Sequence, residues 1–125
     1  MSRPGRWISP AWLLPAMLLA AATATATAQA APACVEDTLP GRLADAPVRL
    51  CVDAADGTAP RYTLWLADAE RIVGEEEAVV GAGLQGDWYG HPLRLHCRAD
   101  GAVRHCDLSV DGEPAWDADV VIPNG

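Results

Sequence analysis

The 125-residue chain holds 17 acidic and nine basic side chains, a formal charge of −8, with four cysteines, no lysine and no phenylalanine. A surface this acidic repels phosphate backbones and anionic lipid, which argues against nucleic-acid and membrane-surface binding and favours a cationic partner. At this length there is room for one small domain with a modest core.

The N-terminus, "MSRPGRWISPAWLLPAMLLAAATATATAQAAPAC", sets Arg3 and Arg6 ahead of an apolar run over 12–22 and ends in small residues, the order of a secretory signal. Pro10 and Pro15 interrupt the run, which falls short of the roughly 20 apolar residues a bilayer span needs. Ala28 and Ala30 mark the expected cleavage site, with Ala26 and Ala28 as the competing pair. Residues 1–30 therefore read as a cleaved signal peptide, leaving no membrane span and a periplasmic or secreted product. Cleavage removes two arginines and no acid, so the mature chain is more acidic than the whole.

Cys34 lies close behind the cut, where a lipidated cysteine is the competing reading. Ala31-Pro32-Ala33 lacks the large aliphatic residue that such a site favours. Lipidation would also leave an odd number of thiols in an oxidising compartment, whereas four cysteines form two bridges. Residues 31–46 are expected to be an extended segment tied to the domain, and 47–125 the β domain itself.

Beyond residue 46, short stretches alternate with period two between Gly, Asp and Pro, and no long stretch has helical periodicity. The candidate strands are "VRLCVDA" from Val48, "RYTLWLADA" from Arg61, "EEAVVGA" near Val79, "DWYG" near Trp88, "PLRLHCR" from Pro92, "AVRHCDLSV" from Ala102 and "AWDADVVI" from Ala115. Turns are expected at Ala55-Asp56-Gly57-Thr58, Ala99-Asp100-Gly101-Ala102 and Asp111-Gly112. "ADAERIVGEEEAVV" is the one stretch with room for a helical turn. The expected fold is all-β, a small antiparallel meander closed into a barrel or sandwich and stapled by two disulfides. "VRLCVDAADG" and "LRLHCRADG" resemble each other, a likeness that limited turn chemistry explains without duplication.

"LHCRADGAVRHC" poses the main chemical question, because its two His-Cys dipeptides look like four metal ligands. If Gly101-Ala102 is a type II′ loop, which takes Gly first, Cys97 faces Cys106, Leu95 faces Leu108 and Leu93 faces Val110. The cysteines then form a non-hydrogen-bonded pair with α-carbons about 4.5 Å apart, within disulfide range. Neighbours on a strand point to opposite faces, so His96 and Cys97 cannot converge on one ion, nor can His105 and Cys106. No metal and no cofactor is expected. Cys34 and Cys51 are left to pair, and Cys51 falls on the face opposite Val48, Leu50 and Val52.

For catalysis the only serine beyond the leader is Ser109, which shares an outward face with His96 and Asp107. Such cross-strand polar groups are common on a solvated face, and the chain reads as a non-enzyme, with a small hydrolase on these three residues as an alternative. "DAADG" and "DGEPAWDAD" gather carboxylates without the spacing of a calcium loop. Glu75, Glu76 and Glu77 read as a solvent-facing edge that could also dock a basic cluster. "VVGAGLQGDWYGHP" places Asp87, Trp88, Tyr89 and His91 among glycines, with aromatics of the kind that anchor interfaces. Together these features predict a secreted or periplasmic acidic binding protein, an inhibitor or immunity-type protein against a basic enzyme of the cell envelope. The alternative binding reading is a non-inhibitory structural or assembly component of the envelope. The candidate partner-binding residues are Glu75, Glu76, Glu77, Asp87, Trp88, Tyr89 and His91.

Overall fold

The computed structural model describes residues 31–40, 45–55 and 58–123. The expected leader over 1–30, and Asp56 and Gly57 at the centre of one expected turn, lie outside them. Among the described residues the elements run β1 (Ala33–Leu39), β2 (Ala46–Asp53), β3 (Arg61–Leu66), β4 (Ala69–Glu75), α1 (Glu76–Val80), β5 (Leu84–Trp88), β6 (His91–Asp100), β7 (Val103–Val110) and β8 (Glu113–Val121). The strands form two antiparallel four-stranded meanders, β1-β2-β3-β4 and β5-β6-β7-β8. Each buries one face. Val48, Leu50, Val52, Tyr62, Leu64 and Ile72 from the first sheet join Leu93, Leu95, Cys97, Cys106 and Leu108 from the second in a single buried cluster.

The β6–β7 hairpin has the expected register, with Cys97 opposite Cys106, His96 opposite Asp107 and Arg98 opposite His105. Gly101 supplies the positive φ of 62° that the first position of a type II′ loop favours. Both disulfides join facing residues with α-carbons 4.0 Å apart, Cys34 to Cys51 and Cys97 to Cys106. Their surroundings differ. Cys97 and Cys106 are sealed in the core, whereas Cys34 is exposed on the outer face of β1. Closing loops of this length stabilises the chain by about 3 kcal/mol each in the chain-entropy model.

Two local expectations are corrected. "RYTLWLADA" is not one strand: Ala67 and Asp68 both take positive φ, 49° and 67°, and form the loop of the β3–β4 hairpin without a glycine. "EEAVVGA" is not a strand: Glu76–Val80 form one helical turn that buries Val79, and Gly81 N–H closes it by donating to Glu77 O at 3.2 Å. Two acids in its first turn suit the helix dipole, and adjacent Val79 and Val80 break strand alternation. The N-terminal segment forms β1, which pairs with β2 along its full length, Ala33 opposite Val52 through Leu39 opposite Ala46.

Two bulges shape the places where the sheets meet. Leu64 pairs with Ile72 but Trp65 with Glu70, leaving Arg71 as the extra residue of β4. Leu108 pairs with Trp116 but Ser109 with Pro114, leaving Ala115 as the extra residue of β8. A bulge bends its strand and re-aims side chains. Beyond the first bulge, β4 runs beside β5 so closely that a Cβ on Gly86 would run into the Arg71 carbonyl, and one on Gly74 into the Leu84 methyls. Beyond the second, β8 lies beside β1, and Trp116 Nε1–H donates to Asp37 Oδ2 at 3.1 Å. That bond, after the Thr38 N–H on the other oxygen, helps hold the Asp37 carboxyl below its ordinary range.

Two outcomes test this architecture. Under mild reduction and differential alkylation read by mass spectrometry, Cys34–Cys51 should open well before Cys97–Cys106; simultaneous opening would contradict the assigned burial. Gly86→Ala should lower stability by about 1–3 kcal/mol in urea denaturation, because the Arg71 backbone must give way. An unchanged midpoint would mean that β4 and β5 are not so closely apposed.

Candidate functional site

The β5–β6 hairpin ends in a two-residue loop, Tyr89-Gly90, with φ of 49° and 88°. Two successive positive φ values are the type I′ pattern, whose twist matches that of the flanking strands. Glycine takes the second position freely, but a tyrosine at positive φ is uncommon and costs energy. The local hydrogen bonding supports it: Gly90 N–H donates to Asp87 Oδ2 at 2.9 Å. The result is a Tyr89 ring 76% exposed at the tip.

Trp88, just before it, is half-buried against the core, with its ring edge-on to Tyr89 at 4.8 Å. The Arg71 guanidinium carbon lies 5.1 Å from the Trp88 ring centroid and 5.3 Å from that of Tyr89. Such contacts contribute about 0.5–1 kcal/mol at exposed sites and more where water is excluded. Just after the loop, His91 Nδ1 meets Asp111 Oδ2 of the β7–β8 turn at 2.8 Å, and Asp111 N–H donates to Pro92 O at 2.9 Å. Thus Asp87, Trp88, Tyr89 and His91 lie on one hairpin. Sequence reasoning missed Arg71, which falls in the stretch read as having room for a helical turn and which no spacing links to Trp88. The bulge brings it there.

The glutamate triplet divides. Glu75 and Glu77 are exposed, but Glu76 turns inward between the sheets. Its Oε1 accepts from Arg104 Nε and from the Tyr62 hydroxyl, both at 2.7 Å, and its Oε2 accepts from Arg104 Nη2 at 3.2 Å. Arg104 is only 7% exposed, and its Nη1 donates to Gly101 O at 2.7 Å. Arg104's hydrogen bonds hold the Glu76 carboxyl below the usual carboxylate range, against burial, which works the other way, and with help from Tyr62. Burial, followed by the neighbouring carboxylate, pushes the Tyr62 hydroxyl well above its ordinary value. The basic group that Glu76 docks is therefore one of the chain's own.

The outer face of the second sheet carries the alternative catalytic set. Asp107 faces His96 on one side and Asp117 on the other, while Ser109 faces Arg94 and lies diagonal to His96. His105 Nδ1 lies 2.7 Å from Asp119 Oδ1. On the outer face of the first sheet, the Arg49 guanidinium lies 4.3 Å over the Trp65 ring. All four cysteines are in disulfides and provide no thiolate, and among the described residues no group of three or more His, Cys, Asp or Glu is arranged to hold a metal. No helix among them is long and apolar enough to cross a membrane. Compared with protein-family models, curated proteins and solved structures, the chain matches none.

The inward carboxylate has a pH signature. Its stabilising contribution is complete above the ordinary carboxylate range and is lost as pH falls through its lowered folded value. Glu76→Gln should cost about 3 kcal/mol at neutral pH, because Arg104 is left buried without its counter-charge. It should also flatten the acid limb of stability against pH in urea titrations followed by tryptophan fluorescence. An acid limb as steep as that of the wild type would remove Glu76 from this role.

Proposed function

We propose that this chain is a small secreted or periplasmic binding protein, of the inhibitor or immunity type, whose target is a basic enzyme acting in the cell envelope. Its two sheets, facing each other across one core, are read as a flattened barrel or sandwich that holds the β5–β6 hairpin out as the contact surface. The observation that carries the reading is Tyr89, 76% exposed in a strained backbone conformation and backed by Trp88 and Arg71. Tyrosine, tryptophan and arginine are the residues in which interface energy concentrates. A large exposed ring on a short, hydrogen-bonded turn loses little entropy on binding.

The formal charge of −8 supports a cationic target, since complementary charge raises the rate of encounter and makes it salt-sensitive. Two disulfides fit an oxidising, extracellular compartment. The leader-like N-terminus is consistent with export.

Capture from envelope extract tests this directly, with wild-type and Tyr89→Ala proteins as parallel baits at low and moderate salt. The wild type should retain a basic enzyme, inhibit it after elution, and lose it as salt rises. Tyr89→Ala should weaken retention by at least about tenfold, the loss of about 1.4 kcal/mol expected of a central anchor. Equal retention by the two baits, or capture that is indifferent to salt, would refute the proposal.

A further inference from the structure

Arg71 is an unusual cation in this molecule. The chain carries 17 carboxylate side chains, yet among the described residues the Arg71 guanidinium makes no ion pair. Arg104, by contrast, is paired with Glu76. Asp87, on the same hairpin as the rings that cover Arg71, directs its Oδ2 to Gly90 N–H instead. The guanidinium is held in place by ring faces rather than by an anion, 5.1 Å from Trp88 and 5.3 Å from Tyr89. Its Nε is buried and without an acceptor, the only side-chain nitrogen or oxygen in that condition among the described residues. Leaving a buried donor unmet costs about 1–3 kcal/mol.

The backbone places this group deliberately. Arg71 is the extra residue of the β4 bulge, and Gly86 lets β5 pass directly over its carbonyl. A planar guanidinium held against two adjoining aromatic rings has less rotamer freedom to lose than a free one, and its paired N–H groups match the two oxygens of a carboxylate.

We infer that Arg71, lying against Trp88 and Tyr89 at the β5–β6 tip, is a receptor for a carboxylate group of the bound polypeptide, taken through its Nη donors. This inference deepens the proposed function, resting on the tip being the contact surface. It adds that a cationic partner is engaged at its centre through one of its own acidic groups. Long-range attraction and local anchoring then have opposite signs, which restricts productive docking to partners that present a carboxylate within a basic surface.

Side-chain NMR reads the site without any partner. Acetate added to the disulfide-intact protein at constant ionic strength, with chloride as the control salt, should shift the Arg71 Nε–Hε resonance and the Trp88 indole N–H in a saturable way. Arg71→Lys keeps the charge but not the fork and should abolish the Trp88 response, with its backbone spectrum otherwise retained as the check on folding. Absence of a saturable shift, or an equal shift with chloride, would overturn the inference. A stronger response to phosphate than to acetate would overturn the choice of carboxylate. If acetate binds but Tyr89→Ala still captures the same enzyme, the site stands and the proposed contact surface falls; if capture behaves as expected but acetate has no effect, only the anion site falls.

Discussion

The carboxylate of Glu76 is where the two halves of this molecule are tied together. It lies on the short connection that carries the chain from β4 to β5, and it accepts hydrogen bonds from Tyr62 of the first sheet and Arg104 of the second. A four-stranded sheet of this size cannot bury its apolar face alone, so each needs the other as its cover. Hydrophobic contact brings the inner faces together but is indifferent to how they slide. A charged pair with a third hydrogen-bonding partner is not indifferent, because displacement would leave Arg104 buried and unmatched. The energy of folding comes chiefly from the apolar cluster and the disulfides, while the Tyr62–Glu76–Arg104 contact fixes the relative placement of the sheets.

That division explains how much could be read in advance. The β6–β7 hairpin was legible because alternation, a glycine at the loop and the cysteine positions all demand one register, so a slip of one residue would turn Leu93, Leu95, Leu108 and Val110 outward. The placement of Cys51 opposite the Val48, Leu50 and Val52 face followed from the same parity, and its bridge to Cys34 followed by elimination. The Ala67-Asp68 loop was not legible, since it takes two positive φ values without the Asn-Gly or Gly-Gly signature of such turns. Nor was the inward turn of Glu76: three consecutive glutamates look solvated, and the guanidinium that draws one of them inward is 28 positions further along the chain. Of the candidate site, the aromatic tip was visible as composition, but Arg71 was not, because a bulge leaves no mark on local polarity.

The bulges also give meaning to the resemblance between "VRLCVDAADG" and "LRLHCRADG". Each segment forms the second strand of its meander and leads into the connection to the third. Leu50 pairs with Leu64 and Leu95 with Leu108, and in each sheet the register of the fourth strand shifts just beyond that leucine. Turn chemistry alone accounts for similar loops, but not for equivalent bulges in the fourth strands. The halves are built to one plan, in which a bulged fourth strand is steered toward the first strand of the other sheet. The two meeting lines are then finished differently: β8 meets β1 through a tryptophan donating to Asp37, and β4 meets β5 through two glycines.

This difference sets the two meeting lines apart. At the β8–β1 line Trp116 has its N–H satisfied and packs against the core, so its polar and apolar needs are both met within the chain. At the β4–β5 line the strands approach so closely that Gly74 and Gly86 have no room for a Cβ, and the Arg71, Trp88 and Tyr89 side chains come together at the end of the hairpin. Tyr89 remains largely in water, and Arg71 has no counter-ion among the described residues. In the proposed binding role, surface acids elsewhere would act over about a Debye length and orient an approaching basic protein. In the same proposal the tip would act only on contact, where a ring that can be covered and a cation that can be paired reward the same docked arrangement.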